Sequence, residues 1–382
     1  MVNPIIPSDP AAVREMLEKR YGHPERDQMS PHERVETALS LHQPDRVPFD
    51  FWAVPETIEK LKAYLGIDEK EDLLRLLGVD CRVLNYDYVG PEPEILADGT
   101  YYTEWGSHRR LVSNSFSLYE EYASYPLAEA RTRTEVECWP RWPRPEYFDF
   151  SQLPRKISII NKNGVRYHIR VDVGGIFESS WGLYGLDHFL EELIINPEVP
   201  CAIMDCYTDL LIALVHKMAA AGQGLIDWVY TYDDVAMQNG LLMSPYLWRT
   251  YILPRHQRLN DAIRSYSFRI LYHSCGAIYP LIPYLIEEMG ITALNPLQPK
   301  ARWMDMAKIK AEFGDRIAFH GGIDLQYTLP YGSLEEVTAE VMDRCRTLGK
   351  NGGYICTSAH YIQADVPVEN IIAMYSAPRI IE

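Results

Sequence analysis

The sequence predicts an α/β protein built as a (β/α)8 TIM barrel, with helices before it and a β-hairpin insertion within it. Three observations lead there. Eight short apolar runs begin near residues 47, 79, 166, 226, 269, 291, 317 and 354, and helical stretches separate them. Strands alternating with helices in this way make a parallel sheet, and eight of them close into a barrel. No glycine-rich dinucleotide loop follows the first run, which argues against an open doubly wound sheet. The chain of 382 residues is 47% hydrophobic, enough for one large core, so 1–382 is read as a single domain.

Taken in order, residues 1–45 form a helical N-terminal extension. Asp9 followed by Pro10 opens a helix over 11–21. Ser30-Pro31-His32-Glu33 is a capping box that starts a second helix ending near Leu41. The run Val47–Trp52 is the first strand. Helices follow at 56–64 and 69–77, then a strand at Val79–Leu84. Asp98-Gly99, flanked by Ile95–Ala97 and Tyr101–Trp105, is a hairpin signal. It opens an excursion over 95–156 that ends in a stretch rich in Pro, Trp and Arg, read as a lid or as the contact of a homodimer. The alternation then resumes. Strands fall at 166–173, 226–232, 269–273, 291–295, 317–320 and 354–357. Helices fall at 182–194, 198–221, 245–265, 280–289, 304–313 and 334–348, with a last one from Val368.

Charge excludes some functions. Lys+Arg is 37 and Asp+Glu 53, a net charge of −16, the wrong sign for nucleic acid. No apolar run reaches the ~18 residues of a membrane span. Met1-Val2-Asn3-Pro4 has neither a charged nor an apolar leader region, so no signal peptide is expected. Seven scattered cysteines are too sparse for a disulfide framework and fit a reduced, cytoplasmic protein.

In a barrel, chemistry gathers at the C-terminal ends of the strands. Here nearly every end carries polar groups: Asp50 and Trp52; Glu178; Tyr230, Asp233 and Asp234; His273 and Cys275; Asn295; His320 and Asp324; Cys356 and His360. His273-Ser274-Cys275 is the sharpest signal. Alternate residues at a strand end face the same way, so an imidazole and a thiolate can share one cation, and nitrogen with sulfur suits zinc. His360 or Cys356 can supply a third ligand from another strand end.

Several strings carry a family resemblance. They are PDRVP (44–48), DDVAMQNGLLMSP (233–245), HSCG (273–276), NPLQP (295–299), FHGGID (319–324) and AHYIQADVPVEN (359–370). They resemble the uroporphyrinogen decarboxylase superfamily, in particular its cobalamin (corrinoid)-dependent methyltransferase branch, including O-demethylase methyltransferases. The likeness runs over roughly 30–382 and is strongest after 225. It implies a (β/α)8 barrel and a zinc held by His273, Cys275 and a third residue near the C-terminus. The thiol-methylating members have a cysteine seven residues before the proline of Pro-x-Glu-Asn. Here that position is His360, and Cys356 lies four residues earlier, so His360 is the expected third ligand and Cys356 the alternative.

The resemblance also implies a division of function. The decarboxylases place an arginine-rich string after the first strand, whereas residues 51–57 here read FWAVPET, without arginine. That favours the methyltransferase branch. The expected reaction moves a methyl group from a small donor, a methoxylated aromatic, to the cob(I)alamin of a partner corrinoid protein. No Asp-x-His-x-x-Gly carrier motif is present, so the corrinoid arrives on that partner. The alternatives are a methylcobalamin:thiol methyltransferase of the coenzyme M type, a decarboxylase, or a metal- or tetrapyrrole-binding protein without activity. Glu178 and Asp234 are the expected catalytic carboxylates, Glu178 also standing as a fourth ligand. Asp50, Trp52, Tyr230, Asp233, Gln238, Asn295, His320 and Asp324 are the expected substrate contacts, with helix capping the competing role for Asp233 and Asp324.

Overall fold

The structure is a computed structural model that describes residues 6–113 and 118–379. The leader expectation at residues 1–4 lies outside these. Seven parallel strands form one curled sheet in sequential order. They are β1 (Cys81–Leu84), β2 (His168–Gly175), β3 (Trp228–Tyr232), β4 (Arg269–His273), β5 (Ala293–Leu297), β6 (Ala318–Ile323) and β7 (Tyr354–Ser358). Almost every residue in the last five is buried, as expected of strands covered on both faces.

The expected strand at 47–52 is an extended segment rather than a ladder strand. It fills the gap between β7 and β1. Asp50 N donates to Cys356 O at 3.0 Å, Cys356 N to Pro48 O at 2.9 Å and Asp80 N to Phe49 O at 2.8 Å. Phe49 and Ala53 each make one isolated parallel bridge, to Cys356 and Ile362. Pro48 and Pro55 bracket the segment, and a proline donates nothing to a ladder, so pairing never extends into a regular strand.

Other elements depart locally. The helix expected at 182–194 is two, Phe177–Tyr184 and Leu186–Ile195, broken at Gly185 with φ +91°. The helix expected at 245–265 passes through a wide π-type turn at Trp248–Ile252 before Leu253–Arg264. Pro254, lacking an N–H, sits at that junction. The excursion carries a three-stranded antiparallel sheet, Tyr101–Tyr102, His108–Ser113 and Leu118–Ser124. Tyr207 ties it to the barrel by donating its hydroxyl to Trp105 O at 2.8 Å.

The reading that no run is long enough for a membrane is corrected. Helix Glu198–Gly222 is long and apolar enough by length and composition. Most of it is buried, packed on helices Leu253–Arg264 and Phe177–Tyr184.

Charge fastens the N-terminal extension to the barrel. Arg34, on the helix Pro31–Leu39 that the Ser30 capping box opens, is fully buried. It donates to Asp45 at 2.6 Å, Asp80 at 2.7 Å and Asp27 at 2.9 Å. Arg46 adds a second cation on Asp80 at 2.9 Å. Burial alone would raise the Asp45 and Asp80 carboxyls, but these cations hold both below the ordinary value.

Arg34→Ala should therefore strand buried carboxylates and lower stability by about 3–5 kcal/mol in urea unfolding. Because Asp45 and Asp80 titrate lower folded than unfolded, their stabilisation is full above the ordinary aspartate value near ~3.9. It is lost as pH falls through the folded values, so acid should close the gap between wild type and Arg34→Ala.

Candidate metal centre

His273 closes β4, and the next two residues turn over the barrel mouth. The turn is pinned on every side. Ser274 N donates to Asn295 O at 2.8 Å. Cys275 N donates to Asp234 Oδ1 at 2.7 Å, and Gly276 N to Gln298 Oε1 at 2.8 Å. Gly276 has φ +86°, and a Cβ there would lie 2.6 Å from Met237 O, so only glycine fits.

This places Cys275 Sγ 3.4 Å from His273 Nε2. His360 arrives just past β7, where Ser358 Oγ donates to His360 O at 2.6 Å. One ligand atom each from His273, Cys275 and His360 lies within 4.8 Å of the other two. His273 is buried, Cys275 half-buried and His360 exposed, so the cluster has a closed side and an open one. Cys356 is elsewhere. It is fully buried, and its thiol touches Cys345 and Tyr354. A two-residue period sends neighbouring side chains to opposite faces of a strand, and Cys356 takes the face toward helix Leu334–Leu348.

Burial sets the protonation of all three groups. Burial holds His273 below the usual histidine range. The surrounding protein and His273 lower His360 to about 4, although part of its ring is open to solvent. Both imidazoles are therefore neutral, as ligands must be. Burial, Asp234 and Glu178 push the Cys275 thiol up, a cost that a divalent cation at Sγ would offset. Asp234 Oδ1 lies 3.5 Å from His273 Nε2 with its side chain 41% exposed.

The open side faces a cavity of about 370 Å³ lined by Cys275 and His360 with Ala236, Met237, Leu325 and Pro299. Gln238 and Gln298 form part of its wall, joined amide to amide at 2.9 Å. Glu178 faces a second, smaller space of about 170 Å³ under the inserted sheet, with Arg109, Tyr122 and Tyr232. Its carboxyl is raised to about 7 by burial and by Asp234 and Asp233.

The remaining expected contacts divide. Gln238 and Asp324 line the cavity, but Asp324 also accepts from Gln326 N at 2.9 Å and caps the turn that follows. Asp233 is fully buried and lines neither of these two spaces. It accepts from Phe177 N, Glu178 N and His256 Nε2 at 2.9, 2.8 and 2.5 Å, so it positions Glu178. Asp50, Trp52, Asn295 and His320 are buried behind the cluster rather than on the cavity wall. Trp52 stacks on His273 with ring centroids 6.2 Å apart, and the buried Tyr230 packs edge-on to Trp52 at 5.4 Å. Sequence reasoning missed Arg170, a buried cation 3.3 Å from Asp50. Its only signal is one arginine inside the apolar run of β2.

The profile of the Uroporphyrinogen decarboxylase (URO-D) family matches residues 131–379. The chain belongs to that family. Methylcobamide:CoM methyltransferase MtaA of Methanosarcina barkeri is 26% identical over 174 residues, 46% of this chain and 47% of that protein. Uroporphyrinogen decarboxylase of Pelobacter propionicus is 26% identical over 176 residues, 46% of this chain and 47% of its own. The chain thus spans about half the length of the curated relatives it matches. A solved methyltransferase from Methanosarcina mazei superposes with a TM-score of 0.63 at 19% identity, covering 91% of this chain and 97% of its own. That likeness shows the barrel fold.

Two outcomes follow for this URO-D family member. Gly276→Ala should cost about 1–3 kcal/mol and displace Cys275, weakening metal retention in equilibrium dialysis. Glu178 titrates higher folded than unfolded, so its protonated form stabilises the fold at low pH and that contribution is lost as pH rises through about 7. Melting curves of Glu178→Gln against wild type should separate in favour of the variant as pH rises from 5 to 8.

Proposed function

We propose that the chain is a zinc-dependent corrinoid methyltransferase. It moves a methyl group from a small donor, a methoxylated aromatic, to the cob(I)alamin of a partner corrinoid protein. The observation that carries this reading is the His273–Cys275–His360 cluster at the strand ends, open on one side to a largely apolar cavity. Two neutral imidazoles and a thiol whose ionisation needs a cation fit zinc with a position left for substrate. Bound there, zinc supplies Lewis acidity that weakens the methyl–oxygen bond of the donor.

The chain's own residues do the rest. Asp234 fixes the Cys275 backbone and lies at the edge of the ligand set. Glu178 stands in the adjoining space rather than on the wall of the donor's cavity. Its carboxyl, which exchanges its proton near neutrality, is suited to hold a proton beside the site rather than at the donor oxygen. The apolar lining of the cavity keeps water from the reacting methyl group. Exposed Met237 on the cavity wall suits the mouth to a protein partner bringing a flat corrin ring.

The likeness to MtaA favours a second reading, with a thiol as methyl acceptor and methylcobalamin as donor. Both need the metal. Purified protein should hold about one zinc per chain, lost in His273→Ala and His360→Ala and kept in Cys356→Ala. With zinc present, a methoxyarene and a cob(I)alamin protein should give the methylcob(III)alamin absorption band. Loss of methylcobalamin on adding a thiol would select the second reading. Wild-type protein that binds no zinc would sink both, and porphyrinogen turnover would return the decarboxylase reading.

A further inference from the structure

A line of hydrogen bonds runs from His273 into the barrel. His273 Nδ1 meets Asn295 Oδ1 at 2.5 Å. Asn295 Nδ2 meets His320 Nδ1 at 2.6 Å. His320 Nε2 meets Asp50 Oδ2 at 3.0 Å, and Arg170 Nη1 meets the same oxygen at 3.3 Å. All five residues are buried, none more than 5% exposed. No solvent therefore completes these contacts, and each donor must face an acceptor.

The far end decides the polarity. Asp50 is anionic: Arg170, Trp52 Nε1 at 2.7 Å and Phe51 N at 2.7 Å all donate to it. An anionic carboxylate accepts only, so His320 Nε2 carries the proton. A neutral His320 then offers a bare Nδ1, which needs a donor, and the Asn295 amide must turn its NH₂ that way. Its oxygen is left facing His273 Nδ1, which carries the proton in turn. The bare nitrogen of His273 is Nε2, the atom 3.4 Å from Cys275 Sγ. With the amide reversed, a bare His320 Nε2 would face the Asp50 carboxylate, lone pair against lone pair.

The geometry points to Asp50, His320 and Asn295 as positioning residues that lock His273 in the Nδ1–H tautomer, with the buried Arg170–Asp50 ion pair setting the direction from three hydrogen bonds away. This deepens the zinc reading above and rests on it for its use, but not for its test. A histidine held this way meets a metal already oriented and in the right tautomer. It also explains why three polar residues beneath the cluster never reach the cavity.

The experiment is ¹⁵N-histidine NMR on metal-free full-length protein at pH 8, with zinc affinity measured in parallel by chelator competition. Wild type should show His273 protonated on Nδ1 and His320 on Nε2. Asp50→Leu removes the acceptor that Arg170, Trp52 and His320 share, so both rings should lose that preference. Asn295→Leu should free His273 while His320 stays Nε2–H. Each variant should weaken zinc binding about 10- to 100-fold. His273 protonated on Nε2 in wild type would overturn the inference, as would unchanged tautomers in Asp50→Leu when its melting curve shows it folded. Absence of zinc binding with the expected tautomers would overturn the zinc reading and leave the locked chain standing.

Discussion

Asp50 is a carboxylate almost wholly buried, and much of the molecule is arranged around it. It sits on the extended segment that closes the barrel. Burial alone would raise its carboxyl, but His320, Arg170 and Trp52 hold it well below the usual range. Its backbone N–H bonds Cys356 O, and its own carbonyl accepts from the Tyr375 hydroxyl of the last helix at 2.8 Å. One residue thus joins closure of the barrel, docking of the C-terminal helix and the polar line to His273. Such a group is costly when any partner is missing and rigid when all are present.

Rigidity there serves the mouth. Strand ends deliver His273 and Cys275 from β4 and His360 from just beyond β7, three positions along the sheet away. Their convergence depends on backbone that cannot drift. The Cys275 turn is held by Asp234, Asn295 and Gln298, and the ring of His273 lies on Trp52. The acidic groups divide by environment. Asp233 is spent on backbone amides, Asp234 is half in water, and Glu178 keeps a proton near neutrality because burial and two neighbouring carboxylates oppose its charge. Similar side chains in one loop system thereby have different tasks.

The inserted sheet makes a second space beside the cluster rather than a cap over the apolar cavity. Arg109 lies over the ring of Tyr122 at 3.4 Å, and both line the space into which Glu178 points. Composition around 126–156 signals an excursion that covers something. It does not say which strand end is covered, because that depends on Tyr207, 102 residues after its partner Trp105.

Alternating periodicity, capping signals and glycine and proline positions determined the barrel, the Ser30 capping box and helix 334–348, since these rest on neighbours in the chain. The same local logic placed His273 and Cys275 on one side of a strand end. It favoured His360 as the third ligand but kept Cys356 as an alternative, both at the end of one strand and both suited to zinc. Only the tertiary structure separates them, turning Cys356 toward Cys345 and bringing His360 beside His273 and Cys275. It likewise moved Asp50, Asn295 and His320 from the expected cavity wall to the layer behind it. The reason is that hydrogen-bond partners of a buried polar group come from strands far apart in sequence. Position at a strand end fixes the direction a side chain takes, not the depth at which it stops or the atom it meets.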